Sequence, residues 1–409
     1  MKTKLATLLS GNILAQVIPL VALPLLARMY TPEEFGSFAL YVTICSMVSL
    51  ISGARFDVAI IAATKTTHKS LLNRLSLVFI FGATLLTILV CLMLWHQALI
   101  SIDWLLLLPA GISGAALFNL SNNIRNADET YGKLTLNMTS RSAIWVAISI
   151  LMQDHYYGLL IAFAGSYWLV ALLNTGNIYR LVRAAQFKPR LLLPVVHKYR
   201  QYPLFNAPHA LLTSTNLNIP NLLLPTFGQI AFLGAYGQAN KILITPWLLI
   251  GNALFKIYFK TTTVLVEKQQ LILPAFGKFI FAYAVLLLPI FGAGYWLVEP
   301  FIVLLLGDEW QIAGKIGVLL LPWIYLRAIG GILAFVPLIL SLQKAAFLFE
   351  IGYSVFMAAC MAISLQFLSP LHSIQYFALT GASFVLVQVI WYLIAVAKHD
   401  QNLQQTKPS

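Results

Sequence analysis

Long apolar runs, each near the length of a bilayer-crossing helix, are separated along the chain by short polar segments rich in Lys and Arg. A transmembrane helix needs about 20 predominantly apolar residues. Twelve runs approach that length: 8–28, 37–63, 75–95, 104–124, 138–152, 158–180, 205–226, 232–255, 276–298, 314–340, 345–367 and 373–397. Membrane β-strands alternate polar and apolar positions. These runs do not alternate, so the expected class is an all-α polytopic membrane protein with about 12 transmembrane helices. The first run carries Pro19 and Pro24 and has no small-residue cleavage site, so it reads as a retained helix and not as a signal peptide.

The pattern repeats six runs later. Pro19 to Pro24 resembles Pro220 to Pro225, Phe35-Gly36-Ser37-Phe38 resembles Leu233-Gly234-Ala235-Tyr236, and Leu106 to Pro109 resembles Leu319 to Pro322. Repeats of six spans keep two halves in parallel orientation. The expected organisation is therefore two pseudo-symmetric six-helix lobes, 1–180 and 205–397, with a connector at 181–204 and a tail at 398–409. Such a plan is common among transporters that work by alternating access.

Composition supports the membrane assignment: of 409 residues, 60% are hydrophobic and 10% charged, against about 25% charged in soluble domains. The net charge of +13 would suit nucleic acid, but its distribution is a topology signal. Cytoplasmic loops carry the excess of Lys and Arg. With both termini cytoplasmic, all but five of the 26 basic residues fall on that side or in the tail. Arg28 and Lys315 fall on the other side, among Glu33, Glu34, Asp103, Asp154, Glu299, Asp308 and Glu309. This distribution argues against nucleic acid as a partner and makes anionic membrane lipid one. Cys45, Cys91 and Cys360 all lie in apolar runs, which gives neither a disulfide nor a metal framework. The chain has no GxxxxGK[ST] loop, no HExxH and no triad-like grouping, so no catalytic residue, metal or cofactor is expected.

The other three basic residues, Arg55, Lys241 and Arg327, lie inside apolar runs. A cation at the centre of a membrane helix costs roughly 2.5–3.5 kcal/mol on insertion scales. At 1.5 Å rise per residue, Lys241 lies about 14 Å, Arg327 about 20 Å and Arg55 about 27 Å from the non-cytoplasmic start of its run. With Arg28 at the end of the first run, they suggest a cationic cavity for anionic cargo. Phosphate suits such a cavity, because a guanidinium fork matches its oxygens. Structural pairing is the competing reading for each, and snorkelling for Arg28. Asp57 and Glu350 are the acidic residues in or near runs, and each is a candidate for ion coupling. Arg55 and Asp57 are two residues apart, a spacing that does not face one another on a helix. Tyr199, Arg200, Tyr202, Phe205 and Asn206 cluster at the cytoplasmic end of the seventh run, as sugar contacts or as an aromatic belt. Asn12, Gln16, Asn240 and Asn252 are polar positions that either touch sugar or bond neighbouring helices.

The block from Gly11 through Pro24-Leu25-Leu26-Ala27-Arg28-Met29-Tyr30-Thr31-Pro32-Glu33-Glu34-Phe35-Gly36 resembles the opening of Wzx-type polysaccharide (O-antigen) flippases. These belong to the polysaccharide transporter family of the multidrug/oligosaccharidyl-lipid/polysaccharide (MOP, MATE-like) exporter superfamily. Ala54-Arg55-Phe56-Asp57-Val58-Ala59-Ile60 resembles them too. So do Tyr199-Arg200-Gln201-Tyr202-Pro203-Leu204-Phe205-Asn206-Ala207-Pro208, Leu306-Gly307-Asp308-Glu309-Trp310 and Pro322-Trp323-Ile324-Tyr325-Leu326-Arg327. The resemblance implies a MATE-like fold in the bacterial inner membrane. It also implies a non-enzymatic flippase moving undecaprenyl-diphosphate-linked oligosaccharide from cytoplasmic to periplasmic leaflet. A polysaccharide polymerase and a chain-length regulator are the partner proteins it implies. No unambiguous ion-binding motif marks the driving ion. The competing functions are a multidrug/cation antiporter, whose site should be acidic, and a membrane polymerase or ligase, which needs a large periplasmic loop.

Overall fold

The computed structural model describes residues 2–184 and 189–406, with the side chains of residues 2–10, 12, 252, 275 and 406 outside that description. The side chains of Asn12, Asn252, Lys2 and Lys4, the residues Lys188 and Lys407, and part of the 181–204 connector therefore lie outside the described residues. Among the described residues there is no strand, and 89% of the chain is helical. The chain divides into two compact units, Met1–Leu222 and Leu223–Ser409.

The first unit contains α1 (Lys2–Val21), α2 (Leu23–Met29), α3 (Pro32–Ser52), α4 (Phe56–Ala62), α5 (Thr66–His96) and α6 (Ile102–Ala127). It continues with α7 (Tyr131–Leu151), α8 (Gly158–Leu173), α9 (Thr175–Arg183), α10 (Leu192–Tyr199), a π-helical turn at Tyr202–Asn206 and α11 (Ala207–Leu217). Helix α12 (Ile219–Thr226) carries the chain across the unit boundary. The second unit holds α13 (Ile230–Glu267), α14 (Leu273–Leu306), α15 (Gln311–Leu333), α16 (Val336–Ile339), α17 (Gln343–Phe367) and α18 (Pro370–Thr406).

Nine described helices are long and apolar enough to cross a membrane, or ten if α8 and α9, bent by 45°, form one span. The chain is a multi-pass membrane protein. Five of the twelve apolar runs are interrupted, 158–180 at Asn174 between α8 and α9, 314–340 at Ala334 and Phe335 between α15 and α16, and three more as follows. Run 8–28 breaks at Ala22 into α1 and α2, where Pro24 sits in the first turn of α2 and has no N–H for the preceding helix. Run 205–226 breaks at Asn218, just before Ile219-Pro220, and a residue preceding proline disfavours helical geometry. Run 37–63 breaks between α3 and α4, where Ala54 and Arg55 take φ of 47° and 58°. That left-handed region is uncommon outside glycine.

Local chemistry explains the start of α3. Thr31, at its N-cap, accepts from the Glu34 backbone N–H at 3.3 Å. The Glu34 carboxylate in turn accepts from the Thr31 N–H at 2.7 Å, closing a capping box with Pro32 in the first turn. Just before it, buried Tyr30 donates to the Ser149 carbonyl at 2.7 Å, tying the α2–α3 elbow to α7. Burial, with Glu34 and Asp154 nearby, pushes the Tyr30 phenol up to about 12, so it remains a neutral donor.

Each unit is built on one deeply packed helix. The most apolar window of α6 is 61% buried and that of α15, with the turns flanking it, 56%, against 11% for α5 and 17% for α17. Helix α6 packs against α3, α4, α5 and α8, and α15 against α13, α14 and α18. Each carries a mid-helix proline, Pro109 or Pro322. In hydrocarbon, carbonyls near such a kink need other partners. Around Pro109 they have them: Leu107 O accepts from Tyr41 Oη at 2.7 Å, Pro109 O from Ser113 Oγ at 2.6 Å, and Ala110 O from Trp168 Nε1 at 2.9 Å. Gly111 makes the Tyr41 approach possible, since a Cβ there would fall against the Tyr41 hydroxyl.

The second unit closes on its own C-terminal helix. Asp400, near the end of α18 and 7% exposed, accepts from the backbone N–H of Ile272 at 2.9 and 3.0 Å and of Leu273 at 2.8 Å. Those groups form the N-cap and first residue of α14. The first N–H groups of a helix have no intrahelical acceptor, and Pro274 next in line has none to offer.

Candidate functional site

In the first unit the α3–α4 break positions two of the sequence candidates. Gly53, Ala54 and Arg55 turn the chain so that Arg55 becomes the N-cap residue of α4, with Asp57 in its first turn. The Asp57 carboxylate folds back over Gly53, where an added Cβ would lie 3.0 Å from Oδ1. Asp57 is 7% exposed, and its Oδ2 accepts from Asn123 Nδ2 on α6 at 2.8 Å. Arg55 points elsewhere: its Nε donates to Asn206 Oδ1 at 2.7 Å. The structure therefore joins Arg55, a cation from the second apolar run, to Asn206 from the cytoplasmic-mouth cluster.

The rest of that cluster separates. Tyr199 is buried in a core with Phe56, Ile60, Leu72 and Leu120, and Tyr202 packs against that core. The Tyr199 ring lies edge-on to His68 with centroids 6.0 Å apart, and burial pushes its phenol up. Arg200 and Phe205 are exposed, and Asn206 is half-buried. Arg28 is exposed in the last turn of α2.

A polar cluster that sequence reading passed over lies along α3 and α11–α12. Thr43, 2% exposed, donates to Asn218 Oδ1 at 3.2 Å, and Asn221 Nδ2 donates to Thr43 Oγ1 and to Asn218 Oδ1, each at 2.9 Å. The signal available was a pair of Asn residues, Asn218 and Asn221, flanking Pro220 inside an apolar run.

In the second unit Arg327 is half-buried on α15, and its guanidinium carbon lies 4.8 Å from the ring centroid of Trp323, one turn earlier. A cation over an indole face is attracted by the ring quadrupole. The Arg327 charge also acts on the phenols of Tyr236, on α13, and Tyr353, on α17. Glu350, one turn before Tyr353 on α17, acts on the same Tyr353 phenol and on Tyr392. Two sequence candidates, Arg327 and Glu350, thus share Tyr353, which the sequence reading did not single out. Lys241 and Asn240 are half-buried on α13, five and four residues beyond Tyr236, and the Asn240 carboxamide oxygen is buried with no hydrogen-bond partner among the described residues.

The Arg55–Asn206 bond gives a direct test of local structure. Alanine at either position is expected to lower unfolding stability. The double variant should lose less than the sum of the two, by about 1.5–3 kcal/mol, the range for a hydrogen bond to a charged group. Thermal or denaturant unfolding of the four proteins in detergent measures this, and strict additivity would leave the bond without energetic weight.

A family model described as polysaccharide biosynthesis protein matches residues 25–314. The succinoglycan biosynthesis transport protein ExoT of Rhizobium meliloti (strain 1021) is 24% identical over 314 residues, covering 72% of this chain. The match spans 60% of that relative's length. Among solved structures, the lipid II flippase MurJ in an inward closed conformation superposes with a TM-score of 0.70 at 11% identity, covering 99% of this chain and 91% of that one. An inward-facing multidrug resistance MATE family transporter of the MOP superfamily gives 0.68 at 13% identity, covering 97% and 99%. At these identities the likeness is one of fold.

Proposed function

The chain belongs to the polysaccharide biosynthesis protein family, and on that premise we propose that it is a transport protein, not an enzyme, that flips a lipid-linked oligosaccharide between membrane leaflets. The cargo in this reading is an undecaprenyl-diphosphate-linked repeat unit for O-antigen or another surface polysaccharide. It moves from the cytoplasmic to the periplasmic leaflet of the bacterial inner membrane, with both termini cytoplasmic. The cycle is alternating access by lobes 1–180 and 205–397, driven by an ion gradient, with Asp57 or Glu350 as the coupling group.

The observation that carries the reading is Arg327, a guanidinium within a deeply packed apolar helix that stacks on Trp323 and neighbours two phenols. Aromatic and phenol neighbours hold a guanidinium in place, and its planar fork suits a diphosphate. Lys241 in the same unit and Arg55 in the other add positive charge at membrane depth. A cationic drug would be repelled by these groups. The names of the transport relative and of the lipid II flippase point the same way.

Proteoliposomes containing the purified chain and a fluorescent undecaprenyl-diphosphate oligosaccharide test the proposal. Faster loss of fluorescence to an impermeant quencher than in protein-free vesicles is the expected result. No acceleration, with uptake of an organic cation instead, would sink it.

A further inference from the structure

We propose that the first unit holds a specific site for one acyl chain of a resident anionic phospholipid, in an apolar groove beside the α8–α9 bend. This site does not depend on the flippase reading.

The groove is a cavity of about 250 Å³ among α5, α6, α8 and α9, with Leu77, Leu117, Ala171 and Leu172 among its walls. Drug-sized ligands occupy about 300–1,000 Å³, so this volume takes a narrower object such as a segment of one hydrocarbon chain. Three of its lining residues carry polar atoms, and two of them are turned to other partners. Trp168 Nε1 donates to Ala110 O at 2.9 Å, and Thr175 Oγ1 to Leu172 O at 2.8 Å. The lining surface is left wholly apolar. Leu172 and Tyr179 are each more than half exposed, so the groove opens to the outside of the unit.

The polar end of the ligand follows from α9. This helix leaves α8 at 45°, buries Ile178 and Leu181, and exposes Arg180 and Arg183. A basic amphipathic helix bent off a membrane span is the arrangement expected at the lipid–water interface. Ile178, Tyr179 and Val182 of the same helix line the groove. Two nearby cations have protein partners: Arg180 pairs with Asp128 at 2.7 Å, and Arg74 donates to Val182 O at 2.7 Å. Arg183 instead lies over the ring of Tyr179, 4.4 Å from its centroid. A guanidinium is thereby fixed at the rim of an apolar slot. Chain in the slot and phosphate at Arg183 is the pairing that an anionic phospholipid provides, and juxtamembrane cations attract such lipids.

Native mass spectrometry of the full chain in detergent, titrated separately with dioleoyl phosphatidylglycerol and dioleoyl phosphatidylcholine, tests the site. The unaltered protein should retain phosphatidylglycerol more tightly. Arg183→Gln, at an exposed position, should weaken phosphatidylglycerol roughly fivefold, the scale of one juxtamembrane cation, and leave phosphatidylcholine unchanged. Thr175→Trp, which places an indole at the exposed edge of the groove, should weaken both. Equal retention of the two lipids by the unaltered protein overturns the proposal, as does unaltered binding in either variant. Displacement of phosphatidylglycerol by lower concentrations of undecaprenyl phosphate would assign the groove to the carrier lipid and overturn it as well.

Discussion

Arg327→Ala is expected to cut flipping of the lipid-linked glycan on the order of 100-fold while the chain still inserts and folds. Truncating one partner of a buried, hydrogen-bonded charge pair costs about 2–5 kcal/mol, and each 1.4 kcal/mol is a factor of about ten. Insertion should not suffer, because removing a cation from a helix centre relieves roughly 2.5–3.5 kcal/mol on insertion scales. Loss of flux with unchanged membrane yield therefore separates a cargo role from a structural one. Arg327→Lys keeps the charge but loses the planar fork and the stacking on Trp323, so its flux should fall between the two. Proteoliposome flux and export of surface polysaccharide measure the effect. Normal values in a variant carrying both Arg327→Ala and Lys241→Ala would remove the cationic side chains from the mechanism.

The largest stability effect is expected at Asp400. Its carboxylate accepts from two backbone N–H groups at the start of α14, at 2.8–3.0 Å, in a buried setting. Asp400→Ala leaves both N–H groups without an acceptor, and hydrogen bonds to charged groups are each worth about 1.5–3 kcal/mol. Carboxylate beside a helix N-terminus is also favoured by the helix dipole. We expect Asp400→Ala to destabilise the second unit by about 3 kcal/mol or more. Asp400→Asn, which keeps one acceptor oxygen but no charge, should fall about midway. Thermal unfolding in nanodiscs checks both, and an Ala variant as stable as the parent would show that water or lipid caps α14 equally well.

What the sequence made legible was what depends on neighbours along the chain. Apolar length marked the membrane-crossing helices, and Thr31-Pro32-Glu33-Glu34 carried a capping box whose bonds are all within three residues. Arg55, Lys241 and Arg327 stood out because a cation inside an apolar run is unfavourable in a membrane helix. The contacts that define their settings were hidden because they join distant segments. Arg55 and Asn206 are 151 residues apart, Asp57 and Asn123 are 66. The α3–α4 break was hidden for another reason: Ala54 and Arg55 adopt left-handed backbone with only Gly53 as a local cue. Tyr199 read from sequence as a sugar contact or a member of an aromatic belt, yet packing on His68 and α5 buries it. The family resemblance identified the fold beyond what periodicity gives, and the MurJ and MATE superpositions agree with it.

The Asp400 cap also sets an order of events during synthesis. Ile272 leaves the ribosome 128 residues before its acceptor, which at 5–20 residues per second is an interval of roughly 6–26 s. Throughout it, α14 sits in the membrane with its first amides unanswered by the group that will bind them. The second unit is therefore completed only as the last turns of α18 emerge, and a ribosome stalled short of Asp400 leaves that unit with its closing contact missing.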